Sequence, residues 1–297
     1  MSIKKRILIT GASGMLGATL VKSFSDFFSV FATGNTYFED SLINYKKFDL
    51  RDDNYHELIA WSKPDIIIHS GAITNVNYCN DNPIDAFNVN GFSLKKLMDA
   101  TKDNVKIIYI STDAVFPSKL NMAQESDCVF SENIYGKSKE LGEFFLLTSD
   151  RVYKIIRTTI VGLNINKSKS SFVEWMVNAS LNDEEISLFN DVIFTPISIW
   201  ALAEEIKFLI NYGLESSEIL HIAGNEQCSK YEFGKSLLEE LSIPTKLVKK
   251  GSINMFKDRA KRCSDQTLNC ETYQNKYHRK LPSLKETVTS IKRNYNE

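Results

Sequence analysis

The chain is poor in the residues that hold small or metal-built folds together. Its five cysteines, at 79, 128, 228, 263 and 270, include no Cys-x-x-Cys spacing, and their odd number argues against a disulfide framework and for a reducing compartment. Four scattered histidines form no His-Glu-x-x-His pattern, so no structural zinc site and no metal is expected. With a net charge of −1, no global field calls for nucleic acid or an anionic membrane. No apolar run approaches the length of a membrane span. The opening "MSIKKRILITGASG" starts like a targeting segment, but Thr10, Gly11 and Ser13 interrupt it before an apolar region forms. No internal repeat, low-complexity tract or flexible linker is visible. These absences describe a soluble, cytoplasmic protein without nucleic-acid or membrane partners.

What is present is ordinary globular material, 43% hydrophobic and 25% charged over 297 residues, enough for one large or two modest domains. Short β-rich runs alternate with helical patterns. "RILIT", "FSVFATG", "KKFDL", "DIIIHSG", "VKIIYIST" and "VYKIIRTTIVG" read as strands. Between them "MLGATLVKSF", "DNYHELIAWSKP", one long helix "IDAFNVNGFSLKKLMDATK" and "IYGKSKELGEFFLLTS" read as helices. Nearly all-apolar strands separated by helices predict a parallel sheet covered on both faces. The fold class is therefore α/β, a doubly wound parallel Rossmann sheet with a smaller α+β C-terminal lobe. The sequence predicts a cofactor domain over 1–162 and a mainly substrate-binding lobe over 163–297, with some segments returning to the first.

Three motifs carry chemistry. "ILITGASGMLG" sets Gly11, Gly14 and Gly17 at three-residue intervals between a strand and a helix. The first permits a tight turn, the second lets a pyrophosphate approach, and the third lets helix and strand pack. The helix start, with Ser13, Met15 and Leu16, then offers N–H groups to the phosphates. The second strand ends "ATGN", with Gly34 and Asn35 and no carboxylate to meet a ribose hydroxyl, so NADP(H) is favoured and NAD(H) stays open. No arginine stands beside that strand end in sequence. "FDL" puts Asp49 and Leu50 at a strand end that would meet the adenine, although a helix-leading aspartate reads the same way.

The second motif, "STDAVF", puts Ser111 and Thr112 at the carboxyl end of a buried strand, where open α/β sheets bind ligands. The third, Tyr135-x-x-x-Lys139, places a phenol and an ammonium one helical turn apart. Alone, such a pair is also what a solvated helix face presents. Beside a dinucleotide site it forms a proton-transfer pair: at ~4 Å and an effective dielectric of ~20 one cation contributes about 4 kcal/mol toward the phenolate, enough to lower a tyrosine from its usual ~10.

Together these motifs resemble the extended short-chain dehydrogenase/reductase superfamily, and more narrowly its dTDP-4-dehydrorhamnose reductase branch. "SGAITNVNYCNDNPIDAFNVN", "YISTDAVF…YGKSKELGE", "SFVEWMV", "TPISIWALAEEI" and "LHIAGNEQCSKYEFGKSLLEEL" extend the likeness over nearly the whole chain. The resemblance implies that Thr112 binds the sugar carbonyl, that Tyr135 protonates its oxygen, and that Lys139 holds the cofactor ribose and tunes Tyr135. It further implies that Ser70, Gly71, Ala72 and Thr74 line the cofactor, that Asn90 braces the site, and that Asp113, Val115, Phe116, Ile160 and Arg262 face a nucleotide-sugar substrate.

Two departures stand out. Ile160 occupies a position that is usually aromatic in the branch. Arg262-Cys263 replaces its arginine-proline, with Gln266 for its serine. A dehydratase would carry a second acidic residue where Ala114 follows Asp113. An epimerase, or a non-catalytic cofactor-binding regulatory subunit, remains as an alternative. A homodimer is the default assembly.

Overall fold

The computed structural model describes residues 4–36, 44–255 and 260–296. In chain order, the first half contains β1 (Arg6–Thr10), α1 (Met15–Phe24), β2 (Ser29–Gly34), β3 (Asn44–Lys47), α2 (Tyr55–Ser62) and β4 (Ile66–His69). It continues with α3 (Val76–Asp81), α4 (Pro83–Phe87), α5 (Ser93–Ala100), β5 (Lys106–Ile110), α6 (Ile134–Leu147) and β6 (Tyr153–Arg157). The second half contains β7 (Ile160–Val161), α7 (Phe172–Leu181), β8 (Ile186–Phe189), β9 (Ile193–Phe194), β10 (Ile197–Ser198), α8 (Ile199–Tyr212) and β11 (Glu218–His221). Then follow β12 (Cys228–Ser229), α9 (Lys230–Glu240), β13 (Val248–Gly251), β14 (Asp265–Gln266), α10 (Glu271–Tyr277) and α11 (Leu284–Tyr295).

Seven strands form one sheet in the order β11-β6-β5-β4-β1-β2-β3, every pairing parallel. The doubly wound sheet expected from the sequence is present, and its apolar strands are buried because helices cover both faces. On one face α1 packs against α8; on the other, α2 packs against α5 and α5 against α6. β11 returns from the second half to extend the sheet beside β6. A second apolar core, with Val173, Met176, Phe194, Phe233 and Ile291, gathers α7, α9 and α11 around the short strands.

Three segments differ from the sequence reading. The strand expected over "KKFDL" lies earlier, at Asn44–Lys47, because Phe48 is drawn into the core against Tyr55. The long helix expected from residue 84 is interrupted by a π-helical turn, Asn88–Phe92, and is preceded by α3, which the sequence reading missed. The strand "VYKIIRTTIVG" splits into β6 and β7, and Thr158 and Thr159 between them line a cavity.

Candidate active site

A cavity of about 870 Å³ opens over the carboxyl ends of β1, β2, β4 and β5, the position open α/β sheets reserve for ligands. Its floor is the turn between β1 and α1. Gly11 has φ of 70° there, and a side chain at Gly17 would meet the Gly11 carbonyl oxygen at 2.2 Å. Gly14 caps α1 without any side-chain acceptor, so the N–H groups of the first helical turn have no capping side chain. A close-approach turn ending in uncapped N–H donors fits the pyrophosphate of a dinucleotide. Ser13, Met15, Leu16, Asn35, Asp49, Leu50, Ser70, Gly71, Ala72 and Thr74 also lie on the wall.

Two of these surroundings were not legible in the sequence. Arg51 lines the same cavity as Asn35, although no arginine was expected near the end of β2. Its guanidinium grips Asp49 at 3.0 Å and Asp85 at 2.6 Å, so the Asp49 carboxylate proposed to meet an adenine is held by an ion pair. Lys169, from the loop before α7, reaches back to donate to the Ser13 carbonyl at 3.0 Å. Nothing in "NKSKSS" signals that contact, which exists only because the loop folds over the turn.

At the other end, Thr112, Asp113, Tyr135, Lys139 and Ile160 share the wall. Thr112 follows β5, caps the short helical turn Asp113–Val115 and donates to Asp113 at 2.7 Å. Asn133 caps α6 by accepting from the Gly136 N–H at 2.9 Å, which fixes the helix start and aims Tyr135 and Lys139 at the cavity. The expected lowering of Tyr135 is not found in the cofactor-free chain. Burial pushes the phenol well above its ordinary value; contact with Thr112 opposes this, and Asp113 adds to it. A raised value keeps the phenol protonated at neutral pH, the form that donates. Lys139 is 2% exposed, with Nζ 4.0 Å from the centre of the Tyr109 ring. Burial lowers its amine to about 7, against the pull of Glu143.

Four expected site residues do not line the cavity. Val115 and Phe116 turn into the core, Phe116 edge-on to His221, because the short helical turn after Thr112 rotates their side chains away. Asn90 sits in the π-helical turn beneath the wall. It accepts from the Ile73 N–H at 2.7 Å and donates to Ser138 at 2.9 Å, so it ties the β4 loop to α6. Arg262 also stands off the wall, and the basic run it belongs to lies partly outside the described residues, at 256–259. In its place the wall holds Gln266, Phe172, Thr159 and Lys230. Lys230 was missed because it opens α9 within an ordinary capping pattern, with Ser229 and Glu232 forming the capping box.

Comparison with known proteins gives the same assignment. The chain is 28% identical to the spore coat polysaccharide biosynthesis protein SpsK of Bacillus subtilis over 82% of both chains. It is 28% identical to a dTDP-4-dehydrorhamnose reductase of Aggregatibacter actinomycetemcomitans over 79% of both. A dTDP-4-dehydrorhamnose reductase of Bacillus anthracis, solved in complex with NADP, superimposes with a TM-score of 0.85 at 26% identity, covering 97% of this chain and 99% of the other. A family model described as the RmlD substrate binding domain matches residues 5–296. The match runs through the cofactor turn as well as the substrate end, and the chain belongs to the RmlD substrate-binding domain family.

Proposed function

We propose that the protein is an NAD(P)H-dependent reductase of a nucleotide-linked 4-keto-6-deoxysugar. The observation that carries this reading is that one cavity contains both the uncapped glycine turn and the trio Thr112, Tyr135 and Lys139. When bound, the reduced nicotinamide cofactor supplies the hydride. Thr112, whose hydroxyl donates to Asp113 at 2.7 Å, turns that donor to the carbonyl oxygen when substrate binds, and Tyr135, kept protonated by burial, donates its proton to the same oxygen. Lys139 steadies the ribose and offers a positive charge to the phenolate left behind. Asn90 acts from below by fixing the β4 loop against α6.

The substrate end supports a keto-sugar pocket that departs from the family pattern. Ile160 and Gln266 both lie on its wall, so the substrate differs where these side chains touch it. Residues 1–162 carry the cofactor and 163–297 mainly the substrate, with β11 among the returning segments. NADP(H) is the favoured cofactor because the described end of β2 offers no carboxylate of its own. Sedimentation tests whether the working unit is a homodimer.

The deciding experiment follows NADPH or NADH absorbance against a set of nucleotide-linked 4-keto-6-deoxysugars. Stoichiometric loss of absorbance with one of them is expected. Cofactor binding without turnover of any would overturn the reductase reading.

A further inference from the structure

Lys139 is the charge on which the proposed reaction depends, and the fold buries it without a polar partner. Among the described residues no side-chain hydrogen bond or ion pair reaches its Nζ. The carboxylate best placed to pair with it is Glu143, one turn further along α6. That carboxylate is already taken: Arg157 grips it at 2.7 Å and 3.1 Å, and the Ser111 hydroxyl donates to it. What lies against the ammonium is an aromatic face. Nζ stands 4.0 Å from the centre of the Tyr109 ring, inside the range at which a ring quadrupole attracts a cation.

That ring is fixed by contacts of its own. Tyr109 is fully buried on β5, opposite His69 of β4 in the parallel register, and the two rings stack at 5.8 Å with 14° between their planes. Its hydroxyl donates to the carbonyl of Asn90, in the π-helical turn, at 2.9 Å, and to that of Lys139 itself at 3.2 Å. Gly142 lets α6 come this close, since a Cβ there would lie 2.3 Å from the hydroxyl. The other titratable groups around the ammonium do not replace the ring. Burial, and then the Lys139 charge, lower His69 to about 3, so it is neutral, and the hydroxyls of Thr10 and Ser93 occupy its nitrogens. Burial keeps the Tyr135 phenol protonated. Glu143 attracts the amine without touching it, and Arg157 shares that carboxylate's charge.

A carboxylate in contact would hold the ammonium in one geometry and occupy its donors. A ring face attracts the charge without consuming an N–H. We infer that Tyr109 is a positioning residue: the face of its buried ring offsets the burial of the Lys139 charge and leaves all three N–H donors free for the cofactor. The consequence in turnover rests on the reductase reading; the contact itself does not.

The test reads the Lys139 amine directly, by NMR of protein carrying isotope-labelled lysine, free of cofactor and substrate. The Lys139 signal is the one lost in Lys139→Met. Tyr109→Phe removes the hydroxyl and keeps the ring, Tyr109→Leu removes the ring, and Tyr109→pentafluorophenylalanine keeps the ring's shape while reversing its quadrupole. The titration of Lys139 should fall by roughly one pH unit in Tyr109→Leu and at least as far in the pentafluoro variant. In Tyr109→Phe it should move by no more than a few tenths. An unchanged titration in the pentafluoro variant, or an equal fall in all three, would overturn the assignment. If Tyr109→Leu fails to fold, the pentafluoro variant decides, because it preserves the packing. In turnover with a dTDP-4-keto-6-deoxyhexose, the high-pH limb of kcat/KM should move down by the same interval as the amine. An unmoved limb in an active enzyme whose amine titrates lower would discard the positioning role. The NMR shift in a protein that reduces no keto-sugar would keep the ring contact and discard the reductase reading.

Discussion

At one end of the cavity the floor is largely backbone: Gly11 and Gly14 lie in the turn between β1 and α1, Gly17 lies in the first turn of α1, and the donors are N–H groups. At the substrate end the wall is side chains: Thr112, Tyr135, Ile160, Phe172, Lys230 and Gln266 arrive from six separate places in the chain. A backbone site depends on the space around each Cα, so one added carbon collides with main chain. A side-chain site depends on tertiary assembly, so each position can vary while the pocket persists. Of the departures from the branch's pattern expected from the sequence, Ile160 and Gln266 fall at the side-chain end, while Cys263 is buried off the wall.

The largest expected effect tests the chemistry of that second end. Tyr135→Phe keeps the ring and removes the proton, and kcat should fall roughly 10²- to 10⁴-fold while the NADPH Kd stays put. Wild-type turnover would remove Tyr135 as the donor. Next comes the backbone end. Gly17→Ala puts a Cβ 2.2 Å from the Gly11 oxygen, and the shift needed should destabilise the protein by about 1–3 kcal/mol in urea unfolding, with weaker NADPH binding. A fully stable variant would show that the turn yields more than a backbone site should. By contrast, Ile160→Val at the other end should leave the urea midpoint and the NADPH Kd nearly unchanged.

A smaller effect concerns cofactor choice. Wild-type kcat/KM should favour NADPH, and Asn35→Asp should move the ratio toward NADH by roughly tenfold, since a carboxylate there repels a 2′-phosphate and accepts from a ribose hydroxyl. A wild-type preference for NADH would reverse the reading of that strand end.

A last expectation is a pH slope. Lys139 in the folded, cofactor-free chain is lowered to about 7, whereas the unfolded side chain titrates near ~10.4. Between those values the unfolded chain holds more protons at this site, so the site's contribution to stability rises with pH. The wild-type urea midpoint, minus that of Lys139→Met, should therefore climb between about pH 7 and about pH 10. A flat difference would mean that Lys139 stays charged in the apo fold.

The local signals were readable because each is written in adjacent residues. The glycine spacing, the apolar strands, and Tyr135 four residues before Lys139 need only chain geometry to be recognised. Val115 and Phe116 were misplaced because their adjacency to Thr112 in sequence says nothing about the helical turn that points them inward. Arg51 and Lys169 were missed because their roles depend on Asp85, 34 residues away, and on Ser13, 156 residues away.

By itself the sequence determined the sheet, the glycine turn and the one-turn spacing of Tyr135 and Lys139, since strand burial, glycine geometry and helical repeat are local properties of the chain. Only the tertiary structure decided which side chains face the cavity. It bent the chain after β6 so that Thr158 and Thr159 line the cavity, carried α9 across so that Lys230 shares the wall with Asp113, and left Arg262 off the wall. The physical reason is that desolvation acts through space: Lys230 and Asp113 are ordinary residues in their own segments, and burial shifts both only because packing brings them to the wall of one cavity.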